Sequence, residues 1–258
     1  MPRLILISND DSIHAPGLAA MIETARPLGD LFVIAPSEPQ SGMSHALTVK
    51  NPIRARKIKD EPGLTMYSCS GTPVDCIKLA MGCLSDRKPD MVLSGINHGS
   101  NSSINVIYSG TMAAAIEGTL YGLPSIGFSL CDYSHNADFS ASIEYGRIIC
   151  EHVSKNGLPE GIVLNVNIPK LKKHEIKGIK VCRQNSGIWT DEFDTRIDPH
   201  GVQYYWMTGR YVNREPEARD TDESALEDGY ISVVPVSVDY TAYNVLHKLS
   251  IPTIRNVK

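Results

Sequence analysis

Short apolar runs punctuate the first two thirds of the chain, at 3–8 (RLILIS), 31–36 (LFVIAP), 64–70 (LTMYSCS), 90–94 (DMVLS), 124–130 (PSIGFSL) and 162–168 (IVLNVNI). They are apolar on both faces rather than alternating, the pattern of parallel strands covered on two sides. Between them the periodicity changes to that of helices, at 17–28, 72–84, 110–121 and 138–155, with Thr72-Pro73 as a helix-start signal. This rhythm predicts an α/β fold, a doubly wound and mostly parallel sheet. From about residue 183 the rhythm breaks into an aromatic-rich stretch punctuated by Gly and Pro, which predicts long hairpins, a small β-subdomain or an interface. A last strand within GYISVVPVSVDYT (229–241) and an amphipathic tail (240–249) follow. The division expected is an α/β core over 1–182 and an extension over 183–258, holding the hairpins, the last core strand and an oligomerisation tail.

In open parallel sheets, ligands bind outside the carboxyl ends of the strands. The first strand ends in Asn9, Asp10 and Asp11. No glycine-rich G-x-G-x-x-G turn follows it, and two adjacent carboxylates repel phosphate unless a divalent cation such as Mg²⁺ or Mn²⁺ lies between them. The competing reading of the pair is acids capping the helix that follows. Two further loops reach the same edge. APSEPQSGMSHALT (35–48) offers Ser37, Ser41 and Ser44 with Gly42, while the stretch 94–118 offers Asn97 and Asn101 and then Ser109, Gly110 and Thr111 at the start of an alanine-rich helix. A helix N-terminus with small hydroxyls makes an anion site. Taken singly, these asparagines and hydroxyls read as turn formers and helix caps; their convergence on one edge is what points to a site.

Charge and composition narrow the ligand. The chain has 258 residues, a formal net charge of −4 and no extended basic block, which argues against duplex nucleic acid or an anionic membrane surface. No run approaches the roughly 20 apolar residues of a membrane span, and the expectation is a cytoplasmic protein. Six cysteines without a C-x-x-C pair read as reduced core thiols.

The segments SNDDSIHAPGL, PSEPQSGMSHALT, CSGTPVDCIKLA, KPDMVLSGINHGSN and YSGTMAAAIEG, in this order, resemble the successive motifs of the survival protein E family of metal-dependent nucleotidases. DTDESALEDGYISVVPVSVDYT resembles that family's C-terminal signature. The resemblance implies a three-layer Rossmann-like core, and one divalent cation per subunit held by Asp10, Asp11, Ser41 and Asn97. It implies phosphate-binding roles around Asn9, Asn101, Ser109, Gly110 and Thr111, and C-terminal elements exchanged within a homodimer or homotetramer. The activity implied is hydrolysis of nucleoside 5′- and 3′-monophosphates. Ser12 departs from the pattern: the family usually has glycine there, so a positive φ at that position would strain a serine.

The set is chemically coherent. Two carboxylates offset a divalent charge, and Ser41 and Asn97 add neutral oxygens, leaving room for water and a phosphate oxygen. The metal would act as a Lewis acid on that water, with Asp10 or Asp11 as the base and the Ser109–Thr111 helix start stabilising the phosphate oxygens. An aspartyl-phosphate mechanism of the haloacid-dehalogenase type needs D-x-D-x-T, a spacing the adjacent acids do not provide. His14, His45 and His98 lie in the site loops as solvent-facing or supporting side chains. The readings from other classes are a nucleotide-binding regulator and an oligomeric structural protein, both without significant turnover.

Overall fold

Every residue of the first strand, Leu4–Ser8, is buried, because it lies in the middle of a nine-stranded sheet with helices on both faces. The computed structural model describes residues 2–250. In chain order the elements are β1 (Leu4–Ser8), α1 (Pro16–Ala25), β2 (Asp30–Pro36), β3 (Ala55–Glu61), β4 (Leu64–Cys69), α2 (Pro73–Leu79), β5 (Met91–His98), α3 (Asn105–Tyr108), α4 (Gly110–Leu120), β6 (Ser125–Leu130), α5 (Ser140–Asn156) and β7 (Ile162–Ile168). There follow β8 (Ile179–Val181), β9 (Gly187–Thr190), β10 (Phe193–Ile197), β11 (Gln203–Met207), β12 (Arg210–Asn213), α6 (Asp222–Glu227), β13 (Ile231–Ser237) and α7 (Tyr243–Leu246).

The sheet order is β3-β4-β2-β1-β5-β6-β7-β13-β8. All pairings are parallel except β3 with β4 and β13 with β7. Alternate residues of β1 feed opposite faces, as strand geometry requires. Ile5 and Ile7 pack in the cluster that includes Leu18 and Met21 of α1 and Ile149 and Val153 of α5, while Leu4 and Leu6 pack with Cys76 and Ile77 of α2 and Ala114 of α4. This is the three-layer α/β architecture expected. From β1 the chain runs outward to β2 on one side and to β5 on the other, so the topological switch point lies between β1 and β5.

The predicted strands all form. β5 runs on to His98, so Asn97 belongs to the strand rather than to the loop after it. Two further strands edge the sheet. β3 (ARKIKDE) is exposed at six of its seven residues and pairs antiparallel on the sheet edge, and the three-residue β8 closes the other edge. The 17–28 helix keeps its α-helical geometry to Ala25 and ends in a 3₁₀ turn at Arg26–Leu28. The 72–84 helix widens into a π turn at Ala80–Leu84.

After residue 182 the chain forms two ribbons, β9 with β12 and β10 with β11. They behave differently. β9–β12 lies against the core, with Trp189 Nε1 donating to Asn105 Oδ1 at 2.8 Å and Tyr211 donating to Asn185 Oδ1 at 2.9 Å. β10–β11 holds Phe193, Ile197, Tyr204, Tyr205, Trp206 and Met207 in solvent. In the expected tail only Tyr243–Leu246 forms a helical turn, and residues 239–250 are exposed. A single turn with nothing beneath it lacks the packing that stabilises short helices. All six cysteines are free thiols.

Candidate active site

The carboxyl end of β1 delivers Asn9, Asp10 and Asp11 into the crevice between β1 and β5, where an open α/β sheet leaves room for a ligand. Asn9 fixes the turn by donating from Nδ2 to the Ser12 carbonyl at 2.9 Å, while its Oδ1 is buried without a hydrogen-bond partner. The pair does not cap α1: the N-cap is Ala15, with no side-chain cap and no acid in the first turn. The capping reading therefore falls.

Asp10 is buried against the start of α4. Thr111 Oγ1 donates to Asp10 Oδ1, and a Cβ on Gly110 would stand 2.8 Å from the Asp10 Cβ, so only glycine admits the helix this close. Burial pushes the Asp10 carboxyl up from 3.8 to about 6, opposed by the Thr111 hydroxyl and reinforced by the neighbouring charge of Asp11. Burial also raises Asp11, whose Oδ2 accepts from the His98 backbone N–H at 3.0 Å. Among the described residues no lysine or arginine offsets either carboxylate.

Ser109 caps α4, its Oγ accepting from the Met112 N–H at 3.0 Å. Asn97 donates through Nδ2 to the Gly99 carbonyl at 2.8 Å, leaving its Oδ1 free. Asp10, Ser41, Asn97, Asn101 and Ser109 line one small cleft of about 180 Å³, together with Tyr108 and Tyr133. The structure thus brings the acids, amides and hydroxyls of the three loops to one place. Asp11 and Thr111 contact the same wall through His98 and Asp10. Ser41 sits on an exposed stretch of loop.

Sequence reasoning passed over the residues that hold the 100–103 loop in position. Asn167 Oδ1 accepts from the Asn101 N–H, and Asn165 Nδ2 donates to the Asn101 carbonyl, each at 2.8 Å. Asp222 accepts from the N–H groups of Ser103 and Asn185 at 2.8 Å, and the adjacent Glu223 accepts from Ser102 Oγ. The available signal was the pair of asparagines two residues apart in the otherwise apolar strand IVLNVNI, which places two amides on one face.

The backbone at Ser12 has φ +95, the left-handed side of the map, so the serine that stands where the resembled motif has glycine is in a disfavoured conformation. A family profile described as "Survival protein SurE" matches residues 5–191. The chain belongs to the SurE family. It is 56% identical over 249 residues to a protein of Christiangramia forsetii named 5′-nucleotidase SurE, covering 96% of this chain and 95% of that one. A 5′-nucleotidase SurE of Flavobacterium johnsoniae is 54% identical over 248 residues, with coverage of 96% and 95%. The crystal structure of the SurE protein from Aquifex aeolicus superimposes with a TM-score of 0.81 at 38% identity, covering 95% of this chain and 98% of that one. The SurE fold therefore extends through the hairpins and β13, beyond the last residue the profile matches.

Proposed function

We propose that this SurE protein is a divalent-metal-dependent phosphomonoesterase that hydrolyses nucleoside 5′- and 3′-monophosphates to nucleoside and phosphate. The observation that carries the reading is the pair Asp10 and Asp11, both raised by burial and neither offset by a described lysine or arginine, at the sheet's switch point beside the N-terminus of α4. The names of its relatives support it.

The donor set fits a hard cation such as Mg²⁺ or Mn²⁺. Asp10 and Asp11 supply charge, Asn97 has an uncommitted Oδ1, and Ser41 lines the same cleft. Among the described residues no cluster of three His, Cys, Asp or Glu stands ready for a metal, so neutral oxygens must complete the set. A bound cation would neutralise the carboxylates and polarise the phosphoryl oxygens. The chain's own residues do the rest. Asp10 Oδ2, not taken by Thr111, accepts the proton of the attacking water as the new P–O bond forms and the P–O bond to the ribose breaks; the ribose oxygen leaves with a solvent proton. The first-turn amides at Ser109 and Gly110, with Asn101 opposite and Asn9 and Thr111 holding the wall, receive the phosphate charge that builds during displacement. Tyr108 and Tyr133 present exposed rings beside the cleft, flat apolar surface suited to a nucleobase.

The exposed aromatics of β10–β11 and the uncovered tail support a homodimer or homotetramer. The division into a core over 1–182 and an extension over 183–258, and a cytoplasmic location, belong to the same reading. No described helix is long and apolar enough to cross a membrane. Phosphate release from adenosine 5′- and 3′-monophosphate with Mn²⁺, Mg²⁺ or EDTA tests the proposal. Turnover that EDTA leaves untouched, or none on either nucleotide, refutes it.

A further inference from the structure

The loop between β2 and β3 brings Ser41 to the cleft, yet it has no regular structure and most of residues 38–50 are exposed. It is tied at several points. The Gln40 N–H donates to the Asp10 carbonyl at 2.7 Å, Ser44 Oγ to the Ile107 carbonyl at 2.7 Å, and Thr72 Oγ1 to the Ala46 carbonyl at 2.8 Å. One side chain of the loop reaches a buried carboxylate of the core: His45 Nε2 lies 2.9 Å from Glu117 Oε2 on α4. Glu117 is 3% exposed at its side chain and also accepts from Lys78 Nζ of α2 at 2.6 Å. Burial raises this carboxyl, but the hydrogen bonds of His45 and Lys78 outweigh it and hold it below the ordinary range, so it is ionised. Lys78 in turn stands over the Tyr121 ring at 5.8 Å.

A buried carboxylate bridged by two hydrogen-bond partners is a fixed point of the structure, because removing either one leaves a buried charged oxygen without its hydrogen bond. The His45 ring spans from that point to the exposed loop. α4 therefore carries Gly110 and Thr111 against Asp10 at its first turn and grips the Ser41 loop two turns further on.

We infer that His45 is a positioning residue: by its contact with Glu117 it clamps the 37–48 loop to α4 and so holds Ser41 at the cation face of the cleft. The inference rests on the proposed metal-dependent reading for the role of Ser41, but the clamp itself is a property of the unliganded protein. The obvious alternative is a surface histidine whose contact is incidental, in which case the other hydrogen bonds alone hold the loop.

Hydrogen–deuterium exchange of the metal-free protein, followed in peptides covering residues 37–50, separates these. His45→Ala is expected to speed exchange in that loop about tenfold while leaving β1 and β5 unchanged, and His45→Gln, whose Nε2 reaches Glu117, is expected to restore protection. Calorimetric titration with Mn²⁺ alone should show about tenfold weaker binding for His45→Ala and near wild-type binding for His45→Gln. Unchanged exchange in His45→Ala overturns the clamp, as does a Gln variant as labile as the Ala variant. Altered exchange with unaltered Mn²⁺ binding overturns the link to Ser41. Since neither measurement uses turnover, a protein inactive on nucleotides would refute the proposed activity without touching the clamp.

Discussion

Replacing Asp10 by asparagine should abolish turnover and, in the absence of metal, make the protein more stable. The carboxyl rises from 3.8 to about 6 on folding, so keeping it ionised at neutral pH costs about 3 kcal/mol. Asparagine is nearly isosteric, and its Oδ1 can still accept from Thr111. The sign follows from the direction of the shift. Below about pH 4 the group is protonated in both states and wild type and variant should melt together; between about pH 4 and 6 the wild type loses stability because the unfolded carboxyl ionises while the folded one stays protonated, and above about 6 both are ionised and the gap is constant. For a chain of this size about 3 kcal/mol corresponds to roughly 6–12 °C in Tm. Calorimetric melts in EDTA across pH 4–8 provide the assay. Addition of millimolar Mn²⁺ should then raise the wild type and leave the variant behind, closing or reversing the gap, because a ligand stabilises only the state that binds it. A variant that melts at or below wild type at pH 8 in EDTA, or a gap that persists unchanged at pH 4, would refute the reasoning.

Ser12→Gly should stabilise the protein by about 1 kcal/mol in urea melts, since it relieves a positive-φ serine. Gly110→Ala should cut turnover at least a hundredfold, because the added Cβ meets Asp10 at 2.8 Å and must push α4 off the site; a steady-state assay checks it. Asp222→Ala should cost about 2–4 kcal/mol, as the N–H groups of Ser103 and Asn185 lose their acceptor, and should raise KM through the 100–103 loop; chemical denaturation and kinetics read the two effects. Trp206→Glu on the exposed ribbon should lower the assembly state measured by light scattering, and a wild-type chain that runs as a 28.3 kDa monomer at micromolar concentration would remove the premise.

The central layers were legible because β1, β2, β5, β6 and β7 are buried on both faces, and their apolar runs carry no competing signal. β3 was not, because an edge strand has one neighbour and survives on charged residues; its backbone pairing with β4, rather than its side chains, makes it a strand. The cleft was legible at Asp10, Asp11, Asn97 and the start of α4, where polar residues interrupt apolar strands at their carboxyl ends. The braces at Asn165, Asn167 and Asp222 were not, since the loop they hold lies more than 60 residues away in sequence. For the same reason the Glu117–His45 contact, 72 residues apart, leaves no local trace. Trp189 shows the limit of composition: it sits in the same aromatic stretch as Trp206, yet it docks on Asn105 while Trp206 stands in solvent.

The Asp222 brace also sets a birth order for the cleft. Asp10, Asn97 and Ser109 leave the ribosome well before Asp222, and the strands that lead into them can begin to pair then. The loop holding Asn101 first gains its contacts to Asn165 and Asn167, and its second anchor forms only when Ser103 and Asn185 share the Asp222 carboxylate. A nascent chain therefore carries its acidic pair beside a loop that is braced in two stages. Hydrolytic competence should wait on residues 222 and 223 rather than follow the acidic pair out of the ribosome.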